Sequence, residues 1–189
     1  MTINRKIMKR LKGEKSMSFK DELSASMKTP QQVEKEREDS TIKEIKNQVQ
    51  WEISSLKETL KNNASNGKYR DLGNRKIITA EVSTGLRQYC EINSRQGTER
   101  KGFFGNDMHI YYTVTCNYSS NKYTRIYLEE IKKVAKEDGI ECTIVAAYTQ
   151  TAPFKNIEHR WNIPGTKRID DFGVYPRDIK IYIQGSMTI

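Results

Sequence analysis

Apolar residues recur along this chain in two rhythms, and the change from one to the other predicts its elements. From Ile42 the apolar positions are Ile42, Ile45, Val49, Ile53, Leu56 and Leu60. Steps of three and four place them on one helical face. The start of that helix lies upstream, at Thr29-Pro30-Gln31-Gln32. Threonine is a good N-cap, proline suits the first helical position, and a glutamine three residues after the cap completes a capping box. Asn66-Gly67 supplies the stop. The predicted helix therefore spans about 30–65. Its first dozen residues have only Val33 to bury, so this end is expected to project. Thr41, with Glu44 as partner, offers a second cap and a break near Ser40.

The period then falls to two. Ile77 to Val82 reads as a strand, with Leu86 to Ile92 as its continuation or hairpin partner and Gly85 as the turn. Residues 93–107 are polar and contain glycine, which predicts a loop. Met108, Ile110, Tyr112, Val114, Cys116 and Tyr118 then alternate without a fault, the strongest strand pattern in the chain. A helix over about 123–138 follows, capped within Ser119–Asn121 and ended by Gly139. Ile140 to Tyr148 is apolar on both faces towards its end and predicts a central strand. Residues 149–175 read as a long irregular loop. Ile179, Ile181 and Ile183 mark a last strand. The order is α-β-β-α-β-β. It predicts an α+β fold in which a mainly antiparallel sheet carries two helices on one face, with a long N-terminal helix. Residues 1–28 are assigned to a basic and polar flexible lead-in and 29–189 to a single domain.

Composition narrows the class. The chain has 189 residues, 35% of them hydrophobic and 30% charged, with a mean hydropathy of −0.80. That suits one domain with one core. No stretch approaches the length of a membrane-spanning helix, and no apolar segment follows the N-terminal charges as a secretory signal requires. Cys90, Cys116 and Cys142 form an odd, dispersed set that predicts no disulfide framework and fits a reducing cytoplasm.

The formal net charge is +9. Arg5, Lys6, Lys9, Arg10, Lys12 and Lys15 stand against Glu14 alone, so a little over half of the excess lies in the first sixteen residues. Two readings of that segment stand. Lys12-Gly13-Glu14 is encodable as a bacterial ribosome-binding site ahead of a natural start at Met17. Alternatively, Ile3, Ile7, Met8 and Leu11 lie on one face of a basic amphipathic helix suited to an anionic surface.

Short motifs offer a few candidates for chemistry. Lys101-Gly102-Phe103-Phe104-Gly105 resembles the opening of the RNP1 signature of RNA-recognition motifs, but Asn106-Asp107 stand where the pattern needs an apolar strand. Arg95, Arg100, Lys101, Phe103 and Phe104 nonetheless form a basic aromatic loop able to stack on single strands. The pairing of Gly173-Val174-Tyr175 with Tyr182-Ile183-Gln184-Gly185 resembles GIY-YIG nucleases only locally. Asp170, Asp171, Asp178 and Lys180 loosely resemble a PD-(D/E)xK nuclease core, in which carboxylates hold a metal. His109 and His159 have no metal-type spacing with the cysteines, and no P-loop, dinucleotide fingerprint or nucleophile elbow occurs. No catalytic residue, metal site or cofactor is therefore assigned. Arg160, Trp161, Lys167 and Arg168 lie in the predicted 149–175 loop and form the candidate partner-binding set, since tryptophan and arginine dominate binding hot spots. The alternative is that Trp161 packs under the loop against the core.

These readings predict a non-enzymatic bacterial adaptor of the cytoplasm that docks a protein partner through the helix over 30–41 or through the 149–175 loop. A nucleic-acid accessory protein is the second expectation and a metal-dependent nuclease the third.

Overall fold

The computed structural model describes residues 19–102, 105, 107–152, 155–170 and 173–189. Both readings of residues 1–16 lie outside the described residues. Helix α1 covers Phe19–Ser26 and α2 covers Pro30–Ser65. Strands β1 (Tyr69–Asp71) and β2 (Lys76–Ser83) follow, then a 3-10 turn at Gly85–Tyr89 and the long strands β3 (Cys90–Lys101) and β4 (Asp107–Tyr118). Helix α3 (Lys122–Glu137) leads to β5 (Glu141–Ala152), β6 (Lys155–Asn162) and β7 (Gly165–Ile169). A 3-10 turn at Pro176–Asp178 precedes β8 (Lys180–Thr188). The described residues fall into two compact units, one up to Thr41 and one from Ile42 onward.

In the first unit, Thr29 caps α2 as its sequence predicts. The Gln32 N–H donates to Thr29 Oγ1 at 3.2 Å, and the Thr29 N–H donates to Gln32 Oε1 at 2.8 Å. No break occurs near Ser40: Thr41 Oγ1 donates back to the Arg37 carbonyl at 2.9 Å, as a hydroxyl inside a continuous helix does. Within the span read as a lead-in, Phe19–Ser26 forms α1, whose Ser26 hydroxyl donates to the Leu23 carbonyl.

The second unit holds two antiparallel sheets. One has the order β1-β2-β8-β5-β6 and the other β3-β4-β7. Ile45, Val49, Ile53, Leu56 and Leu60 of α2 share a single core with Tyr127, Ile131 and Val134 of α3 and with the inward residues Ile78, Ile144 and Ile183. Val114, Cys116 and Ile169 bring the three-stranded sheet into the same core. The α+β class, the mainly antiparallel pairing and the long N-terminal helix thus stand. The approach of α2 to β8 is close enough to demand glycine. A Cβ on Gly185 would lie 2.6 Å from Leu56 Cδ2 and 3.1 Å from Ile140 Cγ2.

Three expectations are corrected. Leu86 does not begin a strand; it is wholly buried in the 3-10 turn, whose N-cap is Thr84. The predicted loop over 93–107 is mostly strand, because β3 pairs residue for residue with β4 from Cys90↔Tyr118 to Lys101↔Asp107. The predicted loop over 149–175 contains the end of β5 and all of β6 and β7.

At the centre of the second unit lies a buried carboxylate. Glu52 of α2 has no exposed surface. Its Oε1 accepts from Tyr127 Oη at 2.7 Å, the Gly85 N–H at 2.7 Å and Gln48 Nε2 at 2.9 Å, and its Oε2 accepts from Thr84 Oγ1 at 2.9 Å. One side chain thus ties α2 to α3 and to the turn after β2. Burial and the neighbouring Glu52 both push the Tyr127 hydroxyl well above the usual tyrosine range, so it remains a donor. Glu52→Ala strands those donors and is expected to cost at least about 3 kcal/mol in urea unfolding, against about 1 kcal/mol for Tyr127→Phe. Equal losses in the two variants would show that the carboxylate is not the hub.

Candidate functional site

The predicted basic aromatic loop is a β-ribbon. Period-two alternation sends Arg95, Glu99 and Lys101 of β3 to one face, in register with Thr113, His109 and Asp107 of β4. Arg100 falls on the opposite face, across from Met108. Phe103 and Phe104 lie outside the described residues. The five residues singled out by sequence are therefore not one patch: Arg95 and Lys101 share a face that Arg100 does not.

Two of the cations on the first face are already used. The Arg168 guanidinium donates to Glu99 through both terminal nitrogens, 2.8 Å for Nη1 to Oε2, and through Nε to Asp170 Oδ1 at 3.2 Å. Lys101 Nζ is 2.9 Å from Glu99 Oε1 and 3.8 Å from Asp170 Oδ2. The same guanidinium lies 3.8 Å above the Tyr111 ring. The other neighbour of that ring is Gly97, where a Cβ would come within 2.4 Å of Tyr111 Cζ. Tyr111 is thus held between a glycine and an arginine, a cross-strand packing that leaves no free aromatic face for a base. His109 Nε2 lies 3.6 Å from Asp170 Oδ1. Hydrogen bonds from Arg168 and then Lys101 hold the Glu99 carboxyl down at about 2.

The second set is dispersed by the same alternation. Trp161, on β6, is only 9% exposed and belongs to the core, which is the packing alternative of the sequence reading. Arg160, its neighbour, emerges on the other face of the five-stranded sheet. It pairs there with Glu81 of β2 and with Glu158 at 3.2 Å, and lies 5.8 Å over the Tyr182 ring. Lys167 is half-buried opposite Val114, and Arg168 faces away from it.

Asp178 sits in the 3-10 turn before β8 and Asp170 is engaged by Arg168; Asp171 lies outside the described residues. Among the described residues no cluster of three or more His, Cys, Asp or Glu side chains stands close enough to hold a metal ion. Burial pushes the Cys90, Cys116 and Cys142 thiols up to about 11, away from the thiolate form that nucleophilic cysteines need. A cleft of about 650 Å³ between α2, β2 and β8 has a floor of Leu60, Ala64, Ile78, Ile140 and Met187. Lys57 and Asp138 at this cleft pair with each other at 3.0 Å.

Sequence reasoning missed the exposed apolar anchors. Phe19, Leu23 and Met27 are 74%, 49% and 79% exposed and spaced four apart along and just past α1. Trp51 is exposed on the outward side of α2. The spacing of four was the available signal for the first three; for Trp51 it was its place off the three-and-four stripe, two residues from both Val49 and Ile53 and so on the opposite side of the helix. No helix among the described residues is long and apolar enough to cross a membrane. No protein-family model, curated protein or solved structure matches the chain.

The Glu99 ion pair gives a direct test. A carboxyl held down at about 2 favours the fold above its ordinary range near 4.5, and this contribution fades as pH falls towards 2. In a carbon-detected NMR titration, Arg168→Ala is expected to move the Glu99 midpoint up by about one pH unit or more, in the sense of losing a charge-assisted partner. A midpoint unchanged in the variant would assign the shift to Lys101 instead.

Proposed function

We propose that this chain is a non-enzymatic adaptor that recruits a protein partner through its N-terminal helical unit. The observation that carries the reading is the row Phe19, Leu23 and Met27, large apolar side chains presented to solvent at helical spacing. Such a row is the kind of face that an apolar groove on another protein accepts, with anchors one turn apart. Trp51 is a second exposed anchor, on the other unit, of the residue type richest in binding energy. Three unpaired cysteines favour action in the reducing cytoplasm.

The same geometry weakens the nucleic-acid reading. Phosphate binding needs cations free to displace counterions. Lys101 and Arg168 are neutralised by Glu99 and Asp170, Arg160 by Glu81 and Glu158, and Tyr111 is covered.

Limited proteolysis in cell extract tests the adaptor. Cleavage within 19–41 is expected to slow in extract for the natural chain, and to proceed at the buffer rate when Phe19, Leu23 and Met27 are all changed to serine. Equal protection of both proteins would overturn the assignment to this row. A salt titration separates the rival: a shortened chain starting at Met17 is expected to show no binding to single- or double-stranded DNA or RNA at near-physiological salt. Binding with a steep salt slope would replace the adaptor reading with the nucleic-acid one.

A further inference from the structure

Trp51 stands 65% exposed on α2. Ser54, Glu58 and Lys61 follow it at steps of three, four and three, so the four side chains form one row along the helix. The last three of them line the apolar cleft between α2, β2 and β8. An exposed aromatic anchor and an apolar hollow thus lie side by side on one helix, about one turn apart.

The hollow has the size and the lining to take an indole ring. Its volume of about 650 Å³ falls within the range of ligand pockets, and Leu60, Ile78 and Met187 in its floor carry no charge. Lys57, Glu58, Lys61 and Asp138 stand at its rim, two charges of each sign, and Lys57 pairs with Asp138 at 3.0 Å. The balance matters because the chain as a whole carries +9. Two copies repel one another at long range, and their contact is favoured on a patch that is neutral in itself. A strongly acidic or strongly basic partner finds no complementary field at such a rim.

In a two-fold pair the same patch serves both copies, so anchor and pocket must both lie on it. This patch holds both. With the axis beside Ser54, the two α2 helices run antiparallel, and Trp51 of each copy comes opposite Lys57 of the other, since both lie three residues from Ser54. Helix side chains lean towards their own N-terminus. In an antiparallel pair that lean carries each indole over the other copy's cleft, towards Leu60 and Ala64. Ser54 is small, and its hydroxyl already donates to the Gln50 carbonyl at 2.7 Å, so the axis admits close approach and strands no donor.

We propose that this face joins two copies of the chain, each placing Trp51 in the cleft of the other across a two-fold axis beside Ser54. The pair uses the second unit alone, so it stands apart from recruitment through Phe19, Leu23 and Met27.

Sedimentation velocity of the full chain, from about 5 to about 500 μM, tests the pair. The mass is expected to rise from 22.0 kDa towards double that value. The chain has two tryptophans, and Trp161 is already in the core. A shift of emission to shorter wavelength over the same range therefore reports Trp51. Trp51→Ala is expected to weaken the pair about thirtyfold or more, as loss of a hot-spot tryptophan does. Ser54→Arg, which sets two like charges at the axis, is expected to leave a folded monomer by circular dichroism. The variant with Phe19, Leu23 and Met27 changed to serine is expected to pair as the natural chain does. A chain that stays at 22.0 kDa throughout would overturn the proposal and leave the cleft to another occupant. Pairing that survives Trp51→Ala or Ser54→Arg would place the contact elsewhere, and pairing lost with the three α1 residues would assign it to that row; either result overturns this surface.

Discussion

A carboxylate shut away from water must be met by donors on every side, and Glu52 is met by four. The demand is geometric as well as energetic. Donors from α2, from the turn after β2 and from α3 satisfy it only when those three segments stand in one arrangement. Much else in the second unit follows. With Thr84 and Gly85 fixed, the 3-10 turn buries Leu86 and delivers the chain to β3. With α2 fixed, Leu56 comes down on β8 where only Gly185 leaves room. A hydrophobic core alone would tolerate small rotations of α2; a four-donor carboxylate does not.

The basic excess of the chain is arranged differently. Charges that neighbour one another in sequence are separated by strand alternation and paired with partners far away: Arg168 with Glu99, Arg160 with Glu81. These pairs lie at the surface, where each contributes little to stability. Their larger effect is to tie up Arg160, Arg168 and Lys101 with carboxylates, so these cations do not stand together as one free basic patch.

Elements with one wet and one dry face are legible in the sequence. The α2 stripe, its Thr29 cap, the β4 alternation and the α3 face all appear where the pattern puts them. β3 is not legible, because CEINSRQGTERK offers hardly an apolar residue beyond Ile92 and Cys90 for the core, and its pairing is supplied by β4. The edge strand β6 is hidden for the same reason, and β7 by its shortness. The 3-10 turn misleads because a buried leucine after a glycine reads equally well as a strand start. In the candidate sites, residue types are legible but their pairing is not. Glu99 and Arg168 meet across a separation that no local pattern encodes, and Trp161 and Arg160 part because adjacent strand residues face opposite ways.

The middle of the five-stranded sheet is filled by the strand that is made after all its neighbours. β8 lies between β2 and β5, with Ile77 opposite Thr188 and Ile144 opposite Ile183. As the chain emerges from a ribosome, β2 and β5 must wait with open edges until β8 has cleared the exit tunnel. For that interval the nascent protein exposes two sticky strands and an unclosed core, the condition under which neighbouring chains aggregate or chaperones bind. A stop codon anywhere ahead of β8 would then do more than trim a strand: it would remove the strand that, among the described residues, joins the two halves of the sheet.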